Sequence, residues 1–169
     1  MQKWFVAQVQ PGKETLAESH LVRQEFQTFL PLYRKTVRHA RRTQEVLRPL
    51  FPGYIFVSLD LEKDQWRRIN GTRGVSHLLT QDDHRPLFVP NDIIETLQKE
   101  QKEQGAIAMG ALANAFKAGD TIRITEGAFE DHVGTIEALS DKDRVKLLLN
   151  CMNRPLNITI PLTSLEKLD

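Results

Sequence analysis

The segment Pro49-Leu50-Phe51-Pro52-Gly53-Tyr54-Ile55-Phe56-Val57 constrains the fold of this chain more than any other. Its prolines and glycine disfavour a helix, and the run behind them is bulky and apolar. Side chains alternate along a strand, so Tyr54 and Phe56 share one face while Ile55 and Val57 share the other. A strand at the surface of a small domain needs only one apolar face. Here the second face must be covered by helices or kept for a partner. Read alone, the segment favours a central strand buried on both sides.

The neighbouring sequence supplies elements to pack against it. Trp4 to Val9 reads as a strand ended by Pro11-Gly12. Lys13 to Gln27 reads as a helix with Leu16, Leu21 and Val22 on its apolar side. Tyr33 to Ala40 and Gln44 to Leu47 read as a hairpin turning at Arg41-Arg42-Thr43. Lys63 to Ile69 reads as a short helix, Asn70 to Gly74 as a loop and Val75 to Leu79 as a strand. A second helix opens at Pro90, with Asn91 as its N-cap and Ile93, Ile94 and Leu97 as its stripe.

From Lys99 the apolar period is lost, and the chain reads as a linker. Beyond it, Thr121–Thr125, Val133–Leu139, Val145–Asn150, Asn157–Ile160 and a short run near Leu165 read as strands separated by turns. Short strands of this kind suggest a small barrel. The expected class is α+β. Residues 1–98 form an antiparallel sheet with flanking helices, 99–117 a flexible linker and 118–169 the barrel.

Composition is that of an ordinary soluble globular protein, with 40% hydrophobic and 27% charged residues. A single cysteine, Cys151, excludes an internal disulfide and a cysteine-based zinc site. No leader or membrane span is legible, so the expectation is a cytoplasmic monomer. The net charge of +1 divides unevenly: residues 1–80 carry +6 and residues 81–169 carry −5. That polarity favours nucleic acid at the first half and protein partners at the second.

Two clusters could meet a polyanion. His20, Arg23 and Gln24 lie three and four positions apart, on one helical face. They could grip phosphates or base edges, or form a solvated helix surface. Arg34, Lys35, Arg38, Arg41, Arg42 and Arg48, opposed only by Glu45, give the hairpin +5 within 15 residues. They suit a phosphate-seeking finger, and equally an edge strand guarded by cations. The histidines lack metal-ligand spacing, no nucleophile elbow is present, and the loop around Gly71 lacks the Walker pattern. No enzyme, metal or cofactor is expected.

The run from Ala118 to Phe129, with Val133-Gly134-Thr135-Ile136, resembles a KOW motif, the opening hairpin of a small SH3-like barrel. Its marker residues are Gly119, Asp120, Gly127, Phe129 and Gly134. With the Pro49–Val57 segment, it makes the chain resemble the NusG family of bacterial transcription elongation factors, in particular the RfaH-like branch. The first domain is then NGN-like. The resemblance implies that Leu50, Phe51, Pro52, Tyr54 and Phe56, with Ile93 and Leu97, bind RNA polymerase. It implies non-template DNA contacts from Lys13, His20, Arg23, Gln24, Thr72 and Arg73. Lys13 is the nearby cation where that branch has a basic pair and this chain has Gln10-Pro11.

The implied function is a transcription elongation and antitermination factor that suppresses pausing or termination. The KOW domain would recruit a small-subunit ribosomal protein or Rho. The rivals are a general housekeeping NusG and a ribosome- or RNA-binding protein with an SH3-like module. In the RfaH-like branch the second domain also folds as a helical hairpin docked on the polymerase-binding face. Pro155 and Pro161 bar a helix from crossing them, although one ending near Asn153 is permitted. The barrel is the expectation for the intact chain, and the docked hairpin is the alternative.

Overall fold

The computed structural model describes residues 1–81, 85–108, 111, 112, 141, 142, 144, 145 and 148, and the backbone of 122–124 and 165–167. Its centre is an antiparallel sheet of β1 (Lys3–Val9), β2 (Gln27–Phe29), β5 (Tyr54–Leu59), β6 (Val75–Leu78) and β9 (Phe88–Val89). The order is β2-β5-β1-β6, with β9 on β1 beside β6. β1 and β5 run in register from Lys3↔Leu59 to Gln8↔Tyr54.

Strand alternation divides the core in two. Phe5, Ala7 and Val9 of β1 and Ile55, Val57 and Leu59 of β5 face α1 (Glu14–Arg23) and the 3₁₀ turn Trp66–Gly71. Trp4, Val6 and Phe56 face the opposite side, where α2 (Asn91–Gln104) contributes Ile93, Ile94 and Leu97. β5 is therefore buried on both sides, as its sequence suggests.

Several boundaries differ from the sequence reading. α1 ends at Arg23 because Glu25 takes a left-handed φ of 69°. The chain then forms β2 on the edge of β5, a strand not expected from the sequence, whose first residue, Gln27, was read as the end of the helix. The buried stripe of α1 is Ala17 and Leu21, and Val22 is 54% exposed. The residue capping α2 is Pro90 rather than Asn91, and no side chain bonds there. The short helix expected from Lys63 is a 3₁₀ turn beginning at Trp66.

α2 continues to Gln104, through residues that read as linker, and ends at left-handed Gly105. The Gln101 side chain explains this extension. Its Oε1 accepts from Leu32 N at 2.7 Å, and its Nε2 donates to Leu30 O at 3.2 Å. It thereby satisfies backbone groups beside Pro31. Past the helix, Ile107 N donates to Leu32 O at 2.7 Å, and the Ile107 side chain is buried in the core.

The N-terminal amine pairs with Asp60 at 2.7 Å and ties the start of β1 to the end of β5. That hydrogen bond, and a second from Glu62 N at 3.0 Å, hold the Asp60 carboxyl below its ordinary value of 3.8. A depressed carboxylate pKa stabilises the fold above the unfolded value, and this contribution is lost as pH falls through the folded one. Asp60→Asn is expected to be less stable than the native chain at pH 6. The difference should shrink below pH 3.8 in urea titrations at successive pH values.

Among the described residues of the second half, β10 (Ile122–Ile124) pairs antiparallel with β11 (Leu165–Lys167). Both fall where strands were expected. Closure of a barrel, and the KOW markers Gly119, Asp120, Gly127, Phe129 and Gly134, lie outside the described residues. Val145 and Leu148 contradict the strand expected from Val145 to Asn150, because both are helical. Burial accounts for the difference: Leu148 is fully enclosed against the first half, and tertiary packing overrides local propensity.

Candidate nucleic-acid interface and covered apolar face

The apolar face begins with the Pro52-Gly53 turn. Gly53 takes φ 88°, accepts from Val9 N at 2.8 Å and donates to the buried Glu14 Oε1 at 3.0 Å. This anchoring fixes Leu50 and Phe51 beside β5. The Phe56 ring stacks on Phe29 at 6.0 Å and meets Phe51 edge-on at 5.9 Å. Leu50, Phe51, Phe56, Ile93 and Leu97 join one cluster, with Tyr54 half-buried at its margin. Pro52 lies outside that cluster, in the wall of a neighbouring groove.

The face is covered. Leu112 and Leu148 are fully buried on it, and Ala111 and Val145 pack beside them. Arg144 is only 3% exposed. Its Nε donates to Leu50 O at 2.8 Å, its guanidinium lies 4.6 Å from the Tyr33 ring centre, and it pairs with Asp141. A buried guanidinium is tolerated when its donors and charge are met in this way. The sequence reading missed Arg144. The available signal was helical spacing: Asp141 and Arg144 are three apart, and Arg144 and Leu148 four.

On the opposite side of the sheet, the last turn of α1 meets the loop after the 3₁₀ turn. Gln24 Nε2 donates to Thr72 Oγ1 at 2.8 Å and to His20 O at 3.2 Å, while Thr72 Oγ1 donates to Arg68 O at 3.0 Å. Gln24 and the buried Thr72 therefore hold the helix and the loop together. Arg23 and Arg73 are exposed on either side of that tie, and His20 is half-buried. Lys13 does not join them. It stands at the other end of α1, about 15 Å away at 1.5 Å per residue.

Gly74 completes the junction. It takes φ 90°, and a Cβ there would lie 3.1 Å from Ala17 N. Gly74→Ala is expected to cost about 1–3 kcal/mol, from backbone strain together with the contact on α1. Urea denaturation would measure the loss, and an unchanged midpoint would count against this packing.

The hairpin of β3 (Leu32–His39) and β4 (Arg42–Pro49) forms its own two-stranded sheet, paired from Leu32↔Pro49 to His39↔Arg42. The strands join through Ala40 and Arg41, one residue earlier than the turn read from sequence, with Ala40 at φ 52°. Lys35, Arg38, Arg41 and Arg42 are exposed. Arg34 is also exposed, and its Nη2 donates to Gln104 O at 2.6 Å, at the C-terminus of α2. Among the described residues, no group of His, Cys, Asp and Glu could hold a metal ion. None of the described helices is long and apolar enough to cross a membrane.

The site thus combines a charged hairpin, a polar helix-loop junction and an apolar sheet face covered by Leu112 and Leu148. The family described as "Transcription termination factor nusG" matches residues 2–98. The chain belongs to the NusG family. It is similar to proteins named "Transcription termination/antitermination protein NusG". That of Halalkalibacterium halodurans is 23% identical, with 98% of each chain covered. That of Neisseria meningitidis serogroup B is 24% identical, covering 99% of this chain and 98% of the relative. That of Helicobacter pylori strain J99 is 25% identical, with 99% of each covered. A solved structure titled "Domain interaction in Thermotoga maritima NusG" aligns at 18% identity and TM-score 0.41, over 75% of this chain and 74% of that one.

Proposed function

We propose that this protein is a transcription elongation and antitermination factor of the RfaH-like kind. The observation that carries the reading is the family match over residues 2–98, the part of the chain that holds the apolar face, the helix-loop junction and the basic hairpin. The Leu50–Phe56 face binds RNA polymerase once Leu112 and Leu148 have left it. Bound there, the protein favours the elongating state of the polymerase by population shift, with no chemistry of its own. Arg23, Arg73 and His20 touch the non-template strand. Gln24 and Thr72 hold that surface in shape, and the hairpin meets duplex phosphates. The second domain recruits a small-subunit ribosomal protein or Rho. The cover itself and the Thr72-Arg73-Gly74 loop support the specialised reading over a housekeeping NusG.

The test is in vitro transcription with purified polymerase on templates that vary in non-template sequence. Pausing should change at particular sequences. Arg23→Ala or Arg73→Ala should cost about 1–3 kcal/mol of recruitment at those sites, while DNA-independent polymerase binding is retained. Equal recruitment at every paused complex would assign the protein to the general class instead. Co-purification with ribosomes and not with polymerase would sink both.

A further inference from the structure

The hairpin of β3 and β4 shares no ladder with the central sheet, so its direction is set from elsewhere. Its root shows how. Leu50 N donates to Pro31 O at 2.8 Å, one step past the pair Leu32↔Pro49. Hydrogen-bonded and non-hydrogen-bonded pairs alternate in an antiparallel ladder. Leu32 and Pro49 are therefore of the second kind, and the Leu32 N–H and C=O point outward from the free edge of β3. The end of α2 meets both. Gln101 Oε1 accepts from Leu32 N at 2.7 Å, and Ile107 N donates to Leu32 O at 2.7 Å. Gln101 Nε2 donates to the next outward carbonyl, Leu30 O, at 3.2 Å. Arg34 Nη2 adds a tie to Gln104 O at 2.6 Å. One helix end thus stands in for the neighbouring strand that β3 lacks.

The two faces of the hairpin are not equivalent. Directly paired residues, and every second residue along a strand, share a face. Lys35, Arg42 and Arg48 lie on one face with Tyr33 and His39, and that face carries no acid. Arg34 and Arg38 lie on the other face, with Glu45. Lys35, Arg42 and Arg48 are exposed, and none is in an ion pair among the described residues. Arg34 is engaged at the end of α2. Turning the hairpin about its long axis would exchange three cations for one unengaged cation and an acid.

We propose that Gln101 is the positioning residue of the hairpin: through the outer edge of β3 it directs the face of Lys35, Arg42 and Arg48 at the phosphates of duplex DNA. The proposal rests on the reading that the hairpin meets duplex phosphates. A primary amide suits the task because it accepts and donates at once, and Leu32 N and Leu30 O need one of each. Without it, a donor and an acceptor at the hairpin root lose their partners. Only the Ile107 and Arg34 ties then hold the direction. A hairpin free to turn presents its three cations together only part of the time, and binding must pay for ordering them.

The test uses the full chain with two arms. In the first, spin labels on Ser19→Cys of α1 and Thr43→Cys near the hairpin tip, in a Cys151→Ser background, report the distance between sheet domain and hairpin. Gln101→Met should broaden that distribution. Thr96→Val, which removes a hydrogen bond within α2 to Asp92 O and nothing at the hairpin, should leave it narrow. Gln101→Glu should be broad at neutral pH and narrow again in acid, where a protonated carboxyl both donates and accepts. In the second arm, unlabelled proteins bind a fluorescent duplex DNA of mixed sequence at several salt concentrations. Gln101→Met should weaken binding and lower the salt slope by about one, and Lys35→Gln with Arg48→Gln should lower it by about two. Arg38→Gln, on the other face, should leave the slope unchanged. The proposal is overturned if Gln101→Met keeps the native distance distribution, or if acid does not narrow that of Gln101→Glu. It is also overturned if Arg38→Gln lowers the slope as much as Lys35→Gln alone. A native chain that does not bind duplex DNA would overturn the phosphate reading itself, whereas the distances alone decide whether Gln101 holds the hairpin.

Discussion

Phe56→Ala is expected to lower the unfolding free energy by about 3–5 kcal/mol, the usual cost of deleting a buried phenyl ring. The ring is 1% exposed and is held by Phe29 on one side and the edge of Phe51 on the other. Phe56 also sits on the central strand, where β1 and β2 both pair with it. Relaxation into the cavity would have to move two neighbouring strands, which places the cost toward the upper end. Urea denaturation followed by tryptophan fluorescence would measure it. A loss below about 1 kcal/mol would show that the ring is not packed as described. The same geometry makes Phe56 a poor probe of partner binding, because stability falls together with any contact. Tyr54, half-buried at the margin, separates the two effects better.

Leu148→Asp is expected to release the cover. Leu148 is fully buried among Phe51, Phe56 and their neighbours. Losing its burial costs about 2 kcal/mol, and placing a carboxylate there raises the penalty to about 3 kcal/mol or more. That shifts the covered-to-open ratio by about 150-fold or more. The open protein should bind an apolar-surface dye strongly, lose helical circular dichroism and bind core polymerase more tightly than the native chain. The sheet domain should keep its own unfolding transition. Unchanged dye binding and helicity would mean that Leu148 does not hold the cover.

The sheet core was largely legible because its signal is local. The alternation in Trp4–Val9 and Tyr54–Leu59 assigns each residue to a face without knowledge of its partner. The misses share a different cause. β2 was hidden because Glu25 ends α1 with a left-handed backbone and no glycine or proline to announce it. The last turns of α2 were hidden because Gln101 is polar, yet its amide serves backbone groups of Leu30 and Leu32, about 70 residues earlier in the chain. The helical state of Val145 and Leu148 was hidden because leucine-rich sequence permits helix and strand alike, and the deciding contacts lie on Leu50 and Phe51. For the candidate interface, the spacing of His20, Arg23 and Gln24 placed them on one face. It could not show that Gln24 spends its amide on Thr72, because that bond crosses 48 residues.

Leu112 and Leu148 belong to the same chain as the face they occupy. On the proposed reading, in which the cover lifts from the face, closing is therefore unimolecular, and diluting the protein does not open it. A rival arriving from solution competes against a partner whose effective concentration is set by the chain itself. Its apparent affinity falls by the fraction of molecules that are open at any moment. The response is governed by the abundance of the rival and by the closing equilibrium, and making more of this protein leaves the open fraction unchanged.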